Sequence, residues 1–286
     1  GLETVNTWVL DEADRMLDMG FADDIAAIAQ QLPPTTQRQT LLFSATYPDD
    51  VARLAARYLR EPLEVRLTER HAASQIRERY YQVTEDQRLH AVGLLLNHFR
   101  PESTLAFCNT KQQCRDLVAV LQAEGIVALE LHGDLEQRDR DQVLVQFANR
   151  SCSVLVATDV AARGLDIANL AAVINVDVTP DTEVHIHRIG RTGRAGETGL
   201  VLNLASMKEM GYVGKIEQLQ GRESEWHKLD ELTPTGSGPL VPPMVTLYIQ
   251  GGRKEKIRPG DVLGALTADL GYTREQIGKI NVNEWS

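Results

Sequence analysis

Trp8-Val9-Leu10-Asp11-Glu12-Ala13-Asp14 is a short apolar run of strand-favouring residues that stops at three carboxylates within four positions. Such a run delivers acid to the end of a strand. In open α/β sheets, ligands bind in the crevice outside the carboxyl ends of the strands, so acids placed there suit a hydrated Mg²⁺ and a polyphosphate. In that reading Asp11 holds the metal through water and Glu12 orients an attacking water. The stretch also has a plainer reading, in which Asp11 and Asp14 cap a helix running through Arg15, Met16 and Leu17.

Further along, Phe21, Ile25 and Ile28 keep a helical spacing that ends at Pro33-Pro34. Thr40-Leu41-Leu42-Phe43 reads as a second buried strand and ends in Ser44-Ala45-Thr46, two hydroxyls again at a strand's carboxyl end. Pro48 then opens a helix with Val51, Leu54, Ala55 and Tyr58 on one face. Residues 63–67 read as a third strand. Ser44 and Thr46 either share a functional rim with the acids or satisfy the first N–H groups of the Pro48 helix.

Residues 68–75 show no periodicity and read as a linker. A second α/β run follows, with strands near 80–83, 104–108, 127–131, 154–158, 173–176 and 200–204 alternating with helical segments. Their apolar runs lack strict alternation, which means burial on both faces and a mostly parallel sheet covered by helices. A right-handed doubly wound domain is expected over 76–228. Polar residues gather at three of its strand ends: Asn109-Thr110, Gly133-Asp134 and Thr158-Asp159. Each sits where a helix begins, a position that binds phosphate through free N–H groups or is simply capped.

Composition narrows the class. With 286 residues, 43% hydrophobic and 24% charged, the chain can bury ordinary cores and divide into more than one domain. No apolar run approaches the roughly 20 residues of a membrane span, and the first residues lack the basic-then-apolar order of a secretory signal. Gly1-Leu2-Glu3 has no initiator Met and leads almost at once into a core strand, so a fragment of a longer chain is expected. Cys108, Cys114 and Cys152 form no C-x-x-C pair and read as core residues in a reducing cytoplasm. His185 and His187 lack companions for a zinc shell. A net charge of −10 argues against coating nucleic acid by bulk electrostatics, so any such contact is local.

Two further stretches carry the argument: Thr158-Asp159-Val160-Ala161-Ala162-Arg163-Gly164-Leu165-Asp166-Ile167 and His187-Arg188-Ile189-Gly190-Arg191-Thr192-Gly193-Arg194. The second spaces three arginines three residues apart with glycines between them, which lets guanidinium forks approach a polyanion closely. A solvated basic turn would not explain why the acidic and hydroxyl turns accompany it.

With Asp-Glu-Ala-Asp at 11–14, Ser-Ala-Thr at 44–46, the 158–167 run and the 187–194 run, the chain resembles the DEAD-box ATP-dependent RNA helicases over roughly residues 1–222. The resemblance implies two RecA-like doubly wound parallel sheets, the first incomplete, with ATP in the cleft between them and RNA across both. It implies that Asp11 and Glu12 serve Mg²⁺ and the hydrolytic water. Asp14, Ser44, Thr46 and His187 would couple the ATP site to RNA. Gly164, Asp166, Arg188, Arg191 and Arg194 would contact ATP, with Asp166 on the ribose and Arg191 and Arg194 as arginine fingers. Thr110, Gly133, Gln137, Arg140 and Thr158 would grip the RNA backbone.

The tail extends the match. Residues 232–243 are rich in Pro, Gly, Ser and Thr, a flexible connector. Val245-Thr246-Leu247-Tyr248-Ile249 alternates like a half-buried strand, followed by a loop bearing Arg253, Lys254, Lys256 and Arg258 and a helix opening near Pro259. This resembles the start of the α+β, RRM-like domain with which DbpA-type bacterial helicases recognise ribosomal RNA, and places Tyr248, Arg253, Lys254 and Lys256 on RNA. Tyr248 either stacks a base or covers the sheet. The implied organisation is a first RecA-like part at 1–68, a linker at 69–75, a second RecA-like domain at 76–228, a linker at 229–243 and a partial RRM-like domain at 244–286.

The chain departs from the family pattern in having no G-x-x-x-x-G-K-[ST] loop. It also stops before an RRM's third strand, and both ends read as truncated. The expectation is a monomeric ATP-dependent helicase that remodels ribosomal RNA in large-subunit assembly, inactive as this fragment. The rival is a catalytically silent RNA-binding scaffold.

Overall fold

The computed structural model describes residues 1–66, 76–162, 165, 167, 169–193 and 198–284. The chain separates into two compact units, residues 1–68 and 69–286. Among the described residues no helix is long and apolar enough to cross a membrane.

In the first unit, strands β1 (Thr7–Leu10) and β2 (Gln39–Leu42) pair in parallel, with Trp8 opposite Thr40 and Leu10 opposite Leu42. Helices α1 (Ala13–Asp18), α2 (Ala22–Gln31) and α3 (Asp49–Tyr58) accompany them. The face expected of α3 is the face it buries: Val51, Leu54, Ala55 and Tyr58 are all buried, most of them packing with Leu10, Ala13 and Ile25. Trp8 meets Tyr58 edge-on at 5.4 Å, a favourable aromatic geometry.

The third strand expected at 63–67 does not form in the described part of that segment. Leu63 is 90% and Val65 72% exposed, and neither pairs with another described segment. Alternating apolar residues make a strand only where a neighbour offers its N–H and C=O groups. Leu67 and the linker at 69–75 lie outside the described residues.

The second unit is built on seven parallel strands: β3 (Ile76–Gln82), β4 (Thr104–Cys108), β5 (Ala128–Leu131), β6 (Val154–Thr158), β7 (Ala172–Asn175), β8 (Gly199–Ala205) and β9 (Trp226–His227). Their order in the sheet is β5-β6-β4-β7-β8-β3-β9. The helices are α4 (Arg88–Phe99), α5 (Lys111–Ala123), α6 (Gln137–Ala148), α7 (Asp159–Ala162), α8 (Thr182–Ile189) and α9 (Met210–Gln220). Successive strand residues feed opposite cores. Ala106 and Cys108 pack with Leu95 and Leu117 of α4 and α5, whereas Leu105 and Phe107 pack with Phe147, Ala161 and Ile189 of α6, α7 and α8. Two buried faces explain the unbroken apolar runs. Cys108, Cys114 and Cys152 are buried and unbridged, as expected of core residues.

Residues 232–243, expected to be a flexible connector, have partners on α4 and its end. Arg100 donates to the carbonyls of Gly238 and Pro239, Thr235 donates to the His98 carbonyl at 2.7 Å, and Leu240 is buried in the core. Composition cannot reveal such docking, because the acceptors are backbone carbonyls that any sequence carries. Beyond it, the strand expected at 245–249 is also absent: Val245, Leu247, Tyr248 and Ile249 are exposed, and no described segment forms a ladder with them. The helix expected near Pro259 does form, as α10 (Pro259–Gly264), with Pro in its first turn and the Asp261 carboxylate accepting from the Arg258 N–H at 2.9 Å.

Candidate functional site

At the end of β1 the backbone turns so sharply that Glu12 adopts φ 51° and ψ 49°. A non-glycine residue held in that left-handed region costs about 1 to 3 kcal/mol. The turn separates the carboxylates. Asp11 and Glu12 face solvent, while Asp14 is 5% exposed. The first amides of α1 are met from the end of β2: Ala13 N–H donates to the Phe43 carbonyl at 3.0 Å and Asp14 N–H to Ser44 Oγ at 3.1 Å. Asp14 in turn accepts from its neighbour Arg15 N–H at 3.0 Å, from Thr46 N–H at 2.9 Å and from the Thr46 hydroxyl at 2.8 Å. Burial alone would raise the Asp14 carboxyl, but these hydrogen bonds, led by those from Thr46, hold it below its ordinary 3.8.

The capping expected of Asp11 and Asp14 does not form, since α1, with Glu12 at its N-cap, has no side-chain cap hydrogen bond. Asp14, Ser44 and Thr46 tie α1 to the end of β2, so they do not cap α3, whose Val51 N–H is met by Asp50 at 2.9 Å. Asp11 and Glu12 remain outward. Asp11 accepts from Glu12 N–H at 2.9 Å. Among the described residues no cluster of three or more His, Cys, Asp or Glu side chains forms a metal cage. A lone exposed carboxylate fits Mg²⁺ that keeps most of its waters and takes its other ligands from phosphate.

In the second unit the basic run begins on α8, whose N-terminus is capped by Asp181 accepting from the Glu183 and Val184 amides. His187 is half-buried. Arg188 does not take the place expected of an ATP contact. It is 1% exposed, stands 5.1 Å over the Phe107 ring, and forms a fork on Asp159 at 2.7 and 2.8 Å. Its remaining N–H groups reach Asn175 Oδ1, the Asp177 carbonyl and Asn109 Oδ1. A guanidinium engaged on all sides inside the domain organises the turn and does not reach a phosphate from it. Arg191, half-buried, donates to the Leu165 and Ile167 carbonyls at 2.9 and 3.4 Å. Gly199 is where the sheet passes this turn, and a Cβ there would run into the Gly193 backbone. Gly164, Asp166 and Arg194 lie outside the described residues.

The residues expected on RNA line the carboxyl ends of β4, β5 and β6. Thr110 caps α5, accepting from Gln113 N–H at 3.1 Å, and is exposed. Gly133 is exposed, and its neighbour Asp134 is held by Lys111 and Arg115 of α5. Gln137 pairs with Asp141 one turn along α6, Arg140 donates to the Ala161 carbonyl at 2.7 Å, and Thr158 is half-buried. Asp177 joins this rim to the basic turn by accepting from the Asn109 N–H and the Gln113 amide, both at 3.1 Å. Burial pushes its carboxyl up. In the sequence Asp177 carries the same signal as Asp11, an acid directly after an apolar strand.

In the tail, Tyr248 is 54% exposed. Arg253 and Lys254 donate backbone N–H groups to the carbonyls of Asn283 and Glu284, and Arg253 Nε reaches the Val282 carbonyl at 3.1 Å. Lys256 is exposed.

Three family descriptions match the chain in succession: DEAD/DEAH box helicase over residues 1–54, helicase conserved C-terminal domain over 86–196, and DbpA RNA binding domain over 246–285. The chain belongs to the DEAD-box helicases. It is 46% identical over 284 residues to the ATP-dependent RNA helicase DbpA of Escherichia coli K12, covering 99% of this chain and 61% of that protein. A DEAD-box structure of Saccharomyces cerevisiae Dbp5 bound to RNA and ADP BeF3 superimposes with a TM-score of 0.71 at 30% identity, covering 81% of this chain and 61% of that one. A DEAD box protein from Methanococcus jannaschii gives 0.53 at 34% identity, covering 80% of this chain and 61% of that one. The DEAD-box chain described here thus spans about three-fifths of the length of these relatives.

Proposed function

We propose that the complete protein is an ATP-dependent RNA helicase of the DbpA type, monomeric and cytoplasmic, acting on structured ribosomal RNA during large-subunit assembly. The observation that carries the reading is the division of the acidic turn, in which Asp14 is tied to Ser44 and Thr46 while Asp11 and Glu12 stay exposed.

Asp11 would hold Mg²⁺ through water, and the metal when bound supplies positive charge to the β- and γ-phosphate oxygens. Glu12 orients a water, whose oxygen bonds to the γ-phosphorus as the bond to the bridging oxygen breaks, leaving ADP and inorganic phosphate. Arg191 and Arg194 stabilise the charge on the transferring group, and Asp166 and Gly164 hold the nucleoside side. Asp14, Ser44, Thr46 and His187 pass RNA occupancy to these residues. Thr110, Gly133, Gln137, Arg140 and Thr158 hold the RNA backbone, and Tyr248, Arg253, Lys254 and Lys256 select ribosomal RNA.

The test is RNA-stimulated phosphate release by the complete protein, with ribosomal RNA compared against an unrelated duplex of equal length. Release that is stronger with ribosomal RNA is the expected result. RNA binding without hydrolysis would instead make the protein a silent scaffold.

A further inference from the structure

The second unit holds a buried polar chain that composition and motif leave unassigned. Glu78, on β3, has a side chain only 2% exposed, yet its carboxylate accepts five hydrogen bonds. Oε1 receives Tyr80 OH at 3.0 Å, His185 Nε2 at 2.9 Å and Asn203 Nδ2 at 3.0 Å; Oε2 receives Gln220 Nε2 at 3.1 Å and Arg222 at 2.8 Å. From Asn203 the chain runs on. Asn203 Oδ1 accepts from Asn175 Nδ2 at 2.7 Å, Asn175 Oδ1 accepts from Arg188 at 3.2 Å, and Arg188 forks onto Asp159. Each amide donates toward Glu78 and accepts from the Arg188 side, so the polarity is continuous between the two carboxylates.

Helix α8 touches this chain twice. His185 and Arg188 are three residues apart, on one face of the helix, and each is 1% exposed. One binds the Glu78 end and the other the Asp159 end. Arg191 follows three residues beyond Arg188 and leaves the helix where this double attachment ends.

We infer that Glu78 is a positioning residue for α8, setting through His185 and the Asn203–Asn175–Arg188 chain where Arg191 and His187 are held. Buried ionic groups are weak contributors to stability and are best understood where they specify one arrangement over others. An apolar interface would let α8 slide or rotate, whereas directional hydrogen bonds at two points fix both. The state of the carboxylate agrees with this. Burial alone would raise it, but the His185 hydrogen bond and charge, with Gln220 and Tyr80, hold it at about 2.

The inference rests on the proposed ATP hydrolysis for its kinetic consequence but not for its structural one, so the test has two arms. In the 286-residue chain, Glu78→Gln should shift the NMR signals of the Asn175 side-chain amide and the Arg188 Nε–H, which lie two and three links away. Shifts confined to His185 and Asn203 would overturn the inference. In the complete protein, Glu78→Gln should lower kcat about tenfold to a hundredfold, the scale for a reacting group displaced by about 1 Å, with KM for ATP within about twofold. The loss should vanish in an Arg191→Ala background, because the residue acts through that arginine. A fully additive loss would mean that Glu78 is merely structural, and overturns the inference. If Glu78→Gln does not fold, Glu78→Asp is measured in both arms with the same two outcomes decisive. Absence of hydrolysis in the wild type would refute the proposed function and leave the NMR arm to decide this inference.

Discussion

The Asp14 carboxylate receives both the backbone N–H and the hydroxyl of Thr46, at 2.9 and 2.8 Å, across 32 positions of sequence. The acidic turn and the Ser-Ala-Thr turn are therefore one rigid piece, and a displacement of either moves the other. Exposed Asp11 and Glu12 stand on that piece.

Thr46→Val keeps the shape and the backbone hydrogen bond but removes the hydroxyl. It should destabilise the first unit by about 1 kcal/mol, the net worth of one hydrogen bond. In the complete protein it should also weaken RNA stimulation of hydrolysis more than hydrolysis without RNA. Urea denaturation and phosphate release with and without RNA check the two parts.

Acid should act on the second unit through Glu78. Its carboxyl sits at about 2 in the folded chain against an ordinary 4.5, so unfolding takes up a proton between these values. Its contribution is complete above about 4.5 and is lost as pH falls toward 2. Glu78→Gln cannot titrate, so the melting temperature of the second unit should fall less steeply between pH 5 and 3 than in the wild type. Parallel acid limbs would contradict the assignment.

In the complete protein, Glu12→Gln keeps the volume and removes the charge, so ATP should bind while turnover collapses and the RNA-bound state accumulates. Arg191→Ala should lower kcat by about 10³ to 10⁵, far more than it raises KM. Arg191→Lys should rescue little, since a point charge does not reproduce the planar fork. The two lesions should be strongly non-additive. Near wild-type kcat in Arg191→Ala would remove that residue from the chemistry.

Lys254→Ala with Lys256→Ala should weaken RNA binding and flatten the dependence of log affinity on log salt by about one to two units, because each lost phosphate contact releases less than one counterion. An unchanged slope would assign this loop to solvent.

The 286-residue chain contains no G-x-x-x-x-G-K-[ST] loop. Alone it should not hydrolyse ATP, since the amides and Lys of that loop are what cradle the phosphates in nucleotide-binding folds that carry it. Its first unit, a two-stranded sheet with Val9 and Phe43 about half exposed, should also exchange amide hydrogens faster than the seven-stranded sheet. Phosphate release by the purified chain, or uniform protection, would count against these two expectations.

The alternation of apolar runs with helical spacing determined the parallel sheet of the second unit, because a strand buried on both faces is predominantly apolar without strict alternation. The spacing of Val51, Leu54, Ala55 and Tyr58 determined the buried face of α3 in the same way. Sequence overreached at 63–66 and 245–249, where the pattern of a strand is present but no partner is found among the described residues; pairing is a property of two segments. Tertiary structure alone decided the roles of charged groups. Arg188 and Arg191 stand three apart in one basic run, yet one is enclosed by Asp159, Asn175 and Asp177 while the other reaches loop carbonyls. Glu78 carries no motif at all. Its meaning comes from donors on β8, α8 and α9 that converge on it only when the sheet is assembled, since a charge is defined by what surrounds it and those surroundings lie more than 100 residues away.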